Sequence, residues 1–162
     1  ACMLRYTRDD LKKARVGWLG CTNGTLFSLI EGLRYFPFSL QVALPPLEDR
    51  PTLETYARHC GVKVDFVDTP QQAVEGCNFV YAGCRSGLDE EMSQQWKVDD
   101  ALLAHAAPKA RVLLGTSPMQ AIEVASDILA SPASLLLLQS ENRLRVHKGL
   151  LHWVFLENER AI

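Results

Sequence analysis

The sequence lacks most of the features that assign a protein quickly. Its five cysteines, Cys2, Cys21, Cys60, Cys77 and Cys84, lie far apart with no Cys-x-x-Cys pair. An odd number without ligand spacing argues against a disulfide framework and a zinc site, and fits thiols in a reducing compartment. No apolar run approaches the ~20 residues that cross a bilayer. No basic-then-apolar signal pattern opens the chain. A net charge of -2 gives no electrostatic footing for nucleic acid or an anionic membrane. The phosphate-binding Gly-x-x-x-x-Gly-Lys-Ser/Thr, the metal-binding His-Glu-x-x-His and the nucleophilic Gly-x-Ser-x-Gly are all missing. Internal repeats, low-complexity tracts and interdomain linkers are missing as well. What is left is a single domain, residues 1–162, with 48% hydrophobic residues and enough length for its own core. No cofactor or metal is expected. The reading places the protein in the cytoplasm, or in the mitochondrial matrix if a transit peptide has been removed. The abrupt start at Ala1-Cys2-Met3 suggests a truncated or excised chain.

What is present is organised around residues 15–30. The run Arg15 to Gly20 reads as a strand, Cys21-Thr22-Asn23-Gly24 as a tight turn, and Thr25 to Tyr35 as a helix with Leu26, Leu29, Ile30 and Leu33 on one face. Charged residues 9–13 end an incoming helix or linker. Further strands are expected at 39–44, 62–67, 78–83, 111–115 and 134–138. Helices are expected at 51–60, 70–76, 90–96, 98–106, 121–129 and 141–157. Pro51 suits a helix start and Gly61 a helix stop. Strands alternating with helices imply an α/β fold, a doubly wound parallel sheet of about six strands in a Rossmann-like three-layer sandwich. Strand order 3-2-1-4-5-6 puts the topological switch between strands one and four, where ligands sit beyond the carboxyl ends of the strands. That order brings residues 21–24, 84–87 and 115–118 to one edge.

The residues expected at that edge are mostly small and polar. Asn23 can donate and accept, which suits an amino-acid head group; it also suits a turn with positive φ. Ser86 and Ser117 add hydroxyls, or cap loops and helices. Arg143 follows the expected sixth strand, opens the last helix and can take a phosphate or carboxylate bidentately. Cys21 and Cys84 end neighbouring strands. No His or Lys lies beside either in sequence to activate a thiol, so packing is the expected role. The histidines, His59, His105, His147 and His152, fall on expected helices away from the strand ends. A dinucleotide site fails twice: the first turn is Gly20-x-x-x-Gly24, and the second strand ends Ala43-Leu44-Pro45 without an acid.

From about Arg15 to Phe155 these residues resemble the second, amino-acid-binding domain of the aspartate/ornithine carbamoyltransferases, in the ornithine branch. The likeness rests on Trp18-Leu19-Gly20-x-x-Asn23-x-x-x-x-Ser28-Leu29, Thr55-Tyr56-Ala57 and Gly61-Val62-Lys63-Val64-Asp65-Phe66. It continues in Ala73-Val74-Glu75-Gly76 and in Glu141-Asn142-Arg143-Leu144-x-Val146-x-Lys148-x-Leu150-Leu151. The resemblance implies substrate contacts at Asn23, Ser86, Thr116, Ser117, Pro118 and Arg143, the last toward carbamoyl phosphate. It also exposes departures. The family's Asp-Gly-Asn-Asn turn is here Cys21-Thr22-Asn23-Gly24. Its Asp-x-x-x-Ser-Met-Gly loop leaves Ala82, then Ser86-Gly87-Leu88. Its His-Cys-Leu-Pro is Gly115-Thr116-Ser117-Pro118. Cys21 and Ala82 supply no carboxylate for an ammonium, and losing one partner of a desolvated charge pair costs roughly 2–5 kcal/mol. The Ser-x-Arg-Thr motif of the family's carbamoyl-phosphate domain does not occur in these 162 residues.

Two expectations follow. One is a non-catalytic relative that acts as a binding or interaction module; a pocket smaller, less acidic and more thiol-rich than the family's also leaves room for a changed substrate. The other is the amino-acid-binding half of a carbamoyltransferase acting on ornithine or a related amino acid. The apolar last helix, with Leu144, Leu150, Leu151, Trp153, Val154 and Phe155, is expected to bind a protein partner or a second copy. Neither nucleic acid nor membrane is an expected partner.

Overall fold

A computed structural model describes residues 2–7, 10–83, 88–115 and 124–157. A short helix, α1 (Cys2–Tyr6), and a 3-10 turn (Leu11–Lys13) lead into β1 (Arg15–Leu19). Then come α2 (Gly24–Gly32), β2 (Ser39–Ala43), α3 (Arg50–His59), β3 (Asp65–Val67), α4 (Pro70–Val74) and β4 (Phe79–Ala82). The chain continues through α5 (Glu90–Gln95), α6 (Asp100–Leu103), β5 (Arg111–Leu114), α7 (Ser126–Ala130) and α8 (Leu136–His152), and closes in a π-helical turn, Trp153–Glu157. All strand pairings are parallel and the order is β3-β2-β1-β4-β5.

Period-two alternation divides the side chains between two cores. Val16 and Trp18 of β1 face one core with Leu26 and Ile30 of α2, Leu53 and Ala57 of α3, and Leu135 before α8. Leu19 faces the other with Ala73 and Val74 of α4, Leu102 of α6 and Ile128 of α7. These are the three layers of the α/β sandwich. Gly17 lets α4 lie directly on β1: a Cβ there would sit 2.3 Å from the Ala73 carbonyl oxygen. Gly20, at φ 122°, turns the chain off β1 in a conformation that side-chain-bearing residues rarely adopt.

The starts of α2 to α6 carry side-chain caps, and those of α7 and α8 do not. Asn23, Asp49, Asp89 and Asp99 accept backbone N–H bonds from the first turns of α2, α3, α5 and α6. Thr69 and Gln72 form a reciprocal capping box at α4. Because α2, α3 and α4 each follow a parallel strand and the turn after it, all three begin at the carboxyl edge of the sheet.

Several boundaries differ from the sequence reading. The described sheet has five strands, not six. Residues 134–138 do not form a strand: Ser134 makes one isolated bridge to Val112, and α8 starts at Leu136, so the last helix begins well before Glu141. The four-leucine run is unbranched, and leucine favours helix where β-branched residues favour strands. The β5 edge is instead met by a side chain. Gln139 accepts from the Leu114 N–H at 2.9 Å and donates to the Leu114 carbonyl at 3.1 Å, doing the work of a neighbouring peptide group. The third strand is shorter than expected, and the expected helix 98–106 contracts to α6. Of the expected helix 121–129, residues 121–123 lie outside the described residues, and α7 starts at Ser126.

Cys77 illustrates how completely the core is sealed. Its thiol is fully buried and donates to Gln41 Oε1 at 2.7 Å. Burial pushes its pKa up to about 11. A raised acid pKa means that the neutral form is favoured in the folded state. The associated stability is therefore complete below the unfolded thiol's pKa and is lost as pH climbs through 9 toward 11. The expected loss is about 2–3 kcal/mol across that window. Urea titrations at pH 8 and pH 11 should show it, and Cys77→Ala should remove most of the difference.

Candidate functional site

The switch point lies between β1 and β4, which pair directly. Backbone bonds continue past the strands there. Gly83 N–H reaches the Leu19 carbonyl at 2.7 Å, and Gly115 N–H reaches the Ala82 carbonyl at 2.8 Å. The turns that leave β1, β4 and β5 therefore start side by side. Ser86, Gly87 and Cys84 on the second turn, and Thr116, Ser117 and Pro118 on the third, lie outside the described residues. The described part of the edge consists of the first turn, Ala82, Gly115 and what packs on them.

Asn23 is extended at φ -154°, not left-handed, and its side chain is the cap of α2. Oδ1 accepts from Thr25 N–H at 2.9 Å and from Leu26 N–H at 3.2 Å. The cap uses the acceptor end of the amide, so the NH2 end is what the side chain can offer to a ligand. Asn23→Ala should lower stability by about 1 kcal/mol through loss of the cap, read as a drop in Tm. Gly24 has open space around the position of a Cβ. Cys21 is buried, and Ala82 packs in the second core with Val80 and Leu114. The two positions where an acid is missing are therefore apolar packing positions in this chain.

Arg143 does not follow a sixth strand or open the last helix. It lies in the second turn of α8 and is exposed. Its charge acts on the hydroxyl of Tyr81, on which the Thr25 side chain also acts. Burial pushes the Tyr81 pKa up, while Thr25 and Arg143 oppose the rise. Tyr81 stacks on Trp18 with ring centroids 4.9 Å apart. Arg143, Tyr81 and the start of α2 thus share one corner of the fold. Tyr81 was legible only as a strand residue, because alternation says which face a side chain takes and not what its hydroxyl meets.

A second residue escaped the sequence reading. Glu48, in the loop after β2, accepts the Thr22 N–H on Oε2 at 2.8 Å. A carboxylate therefore stands against the first turn, and the edge is less depleted of acid than Cys21 and Ala82 alone suggest. The signal was available in topology: in a parallel sheet the loop after β2 rises on the same edge as the turn after β1. Among the described residues no group of three or more His, Cys, Asp or Glu could hold a metal ion. No described helix is long and apolar enough to cross a membrane.

Strand order, paired cores and the carboxyl-edge turns define a doubly wound α/β domain. Residues 12–154 match the family model described as aspartate/ornithine carbamoyltransferase, Asp/Orn binding domain, and the chain belongs to that family. Ornithine carbamoyltransferase of Oleidesulfovibrio alaskensis is 36% identical over 154 residues, which is 90% of this chain and 51% of that protein. The Bacillus subtilis ornithine carbamoyltransferase is 27% identical, over 98% of this chain and 54% of its own length. Among solved structures, ornithine carbamoyltransferase from Thermus thermophilus superposes with a TM-score of 0.77 at 25% identity, covering 92% of this chain and 50% of the other. The Pyrococcus furiosus enzyme gives 0.76 at 22% identity, which speaks to the fold alone, over 93% of this chain and 52% of the other. The chain spans about half the length of the relatives it matches.

Proposed function

We propose that the chain is the amino-acid-binding half of a carbamoyltransferase, the half that presents the amine of ornithine or a related amino acid to carbamoyl phosphate. The observation that carries this reading is the shared corner of Asn23, Tyr81 and Arg143 above the switch point, in a chain whose relatives are named ornithine carbamoyltransferases. Asn23 would donate its amide NH2 to the amino acid. Arg143, exposed and cationic, would meet the phosphate end of the second substrate. Ser86 and the Thr116-Ser117-Pro118 backbone complete the proposed contacts. The remaining groups for the transfer belong to the other half of a carbamoyltransferase, so these 162 residues alone should bind and not turn over.

Calorimetry tests the binding. Ornithine should bind at millimolar concentration or better, and Arg143→Ala should abolish binding of carbamoyl phosphate while sparing ornithine. No heat with ornithine or any amino acid would sink the reading. It would favour instead a non-catalytic interaction module, for which the burial of Cys21 and Ala82, neither of them a carboxylate, is the supporting observation.

The same reading gives α8 a role. From Arg143 onward every described side chain is exposed, among them Leu144, Leu150, Leu151, Trp153 and Phe155. A contiguous apolar surface of this kind marks an interaction site. The chain alone should self-associate through it. Light scattering after size exclusion should report a species larger than 18.1 kDa, and Trp153→Glu combined with Phe155→Glu should return the monomer.

A further inference from the structure

We propose that Glu48 is the carboxylate that holds the α-ammonium of the amino-acid substrate, an inference that rests on the amino-acid-binding reading above. Glu48 comes from a different segment than the first turn, yet its Oε2 is fixed on the Thr22 N–H at 2.8 Å. It also lines a cavity of about 230 Å³ over the carboxyl ends of β2 and β3, walled by Val42, Leu44, Pro45, Pro46 and Val67. None of the amino-acid contacts proposed above lines this cavity, so it serves as a recess that opens the Glu48 carboxylate to solvent beside the first turn and not as the amino-acid pocket itself.

The charges around the cavity single out Glu48. Arg50 and Asp68 also line it, but they are spent on each other: the Arg50 guanidinium bonds Asp68 at 2.6 Å and Glu54 at 2.7 Å. Glu48 enters none of the salt bridges among the described residues. A second group in the same turn points the same way. Thr22 Oγ1 is buried with no hydrogen-bond partner, a demand that native proteins seldom leave unmet. A half-buried carboxylate outside every salt bridge of the described residues, bonded to the backbone of a residue whose own hydroxyl is unmet, is an arrangement that a ligand ammonium would complete.

Chemistry decides which ammonium. Carbamoyl transfer requires the attacking amine to be unprotonated, and a fixed carboxylate favours the protonated form of whatever it touches. Glu48 would suppress the reaction if it held the attacking amine. It serves the reaction if it holds the α-amine, which stays charged while the side-chain amine attacks. Glu48 thereby supplies a carboxylate to an edge where Cys21 and Ala82 provide none.

The test is an amide-resolved NMR titration of the 162-residue chain with ornithine and with 5-aminopentanoate, which keeps the carboxylate and terminal amine but lacks the α-ammonium. Glu48→Gln keeps an acceptor for the Thr22 N–H and removes the charge. The expected result is a loss of about tenfold in ornithine affinity on Glu48→Gln, the equivalent of one desolvated charge contact, with 5-aminopentanoate unaffected. The Thr22 amide should shift with ornithine in the wild type. Equal ornithine binding by wild type and variant overturns the assignment and leaves the amino-acid reading standing. Equal weakening of both ligands makes Glu48 a structural brace and also overturns it. Failure of the wild type to bind ornithine removes the amino-acid reading and Glu48's role with it. Should the variant not fold, the wild type alone decides: ornithine must bind about tenfold more tightly than 5-aminopentanoate, and equal affinities overturn the proposal.

Discussion

Trp18→Ala should lower the unfolding free energy by about 3–5 kcal/mol, a large part of the ~5–15 kcal/mol that holds a domain together. Trp18 is completely buried at the centre of β1, the middle strand of the sheet. Three losses coincide there. The cavity forfeits the packing of the largest fully buried side chain against Leu26, Ile30 and Phe79. The Tyr81 ring loses the surface it stacks on. The indole N–H no longer donates to the Gly20 carbonyl, a bond of 3.2 Å that pins the turn where the chain leaves β1. Urea denaturation followed by circular dichroism measures the total. Trp18→Phe separates the contributions, because it keeps an aromatic ring and removes the hydrogen bond. It should cost about 1–3 kcal/mol, the range for a reshaped core combined with an orphaned buried carbonyl.

Gly17→Ala should be nearly as damaging for the opposite reason, excess volume. The new methyl would lie 2.3 Å from the Ala73 carbonyl oxygen and 3.1 Å from its carbon. Both are backbone atoms, so no side-chain rotation gives relief and α4 must move off the sheet. Overpacking typically costs about 1–3 kcal/mol and sometimes more. A contact this short against main chain belongs at the upper end, because it lifts Ala73 and Val74 out of the second core. Ala73→Gly should not rescue the variant, since the carbonyl remains. Gly24→Ala is the contrasting case. It has open space at the start of α2 and an ordinary φ, and should stabilise by about 0.4–1 kcal/mol. Thermal melts of the two alanine variants side by side separate backbone crowding from the general effect of replacing glycine.

These two neighbours also show how much of the protein could be read without coordinates. The alternation of apolar runs with helical patterns gave the parallel α/β class and the order of the first five strands, because right-handed crossovers leave few alternatives. The sixth strand failed where the pattern is ambiguous. A run of leucines bounded by small residues fits a buried strand or a helix start equally, and periodicity cannot choose between them. The Gln139 amide then occupies the edge that a sixth strand would have used. At the candidate site, Asn23 was legible because it stands at a strand–helix junction, and its cap role is local in sequence. Glu48 was not, since it meets Thr22 across 26 positions. The meeting of Tyr81 with Thr25 and Arg143 joins β4, α2 and α8, three elements that pattern analysis treats one at a time.

The helix caps carry one more consequence. Asp49 is held below the usual carboxylate range by the Thr52 hydroxyl and backbone N–H. A depressed carboxylate pKa means that its contribution is present above the unfolded value and disappears as pH falls through the folded one. Asp49 caps α3 at the carboxyl edge of the sheet, whereas the two apolar cores contain no ionisable carboxylate among their buried members. Acid therefore acts on this molecule directionally. Protonation weakens the start of α3 while the sheet beneath keeps its packing, so amide exchange in the first turn of α3 should rise on acidification before the domain unfolds.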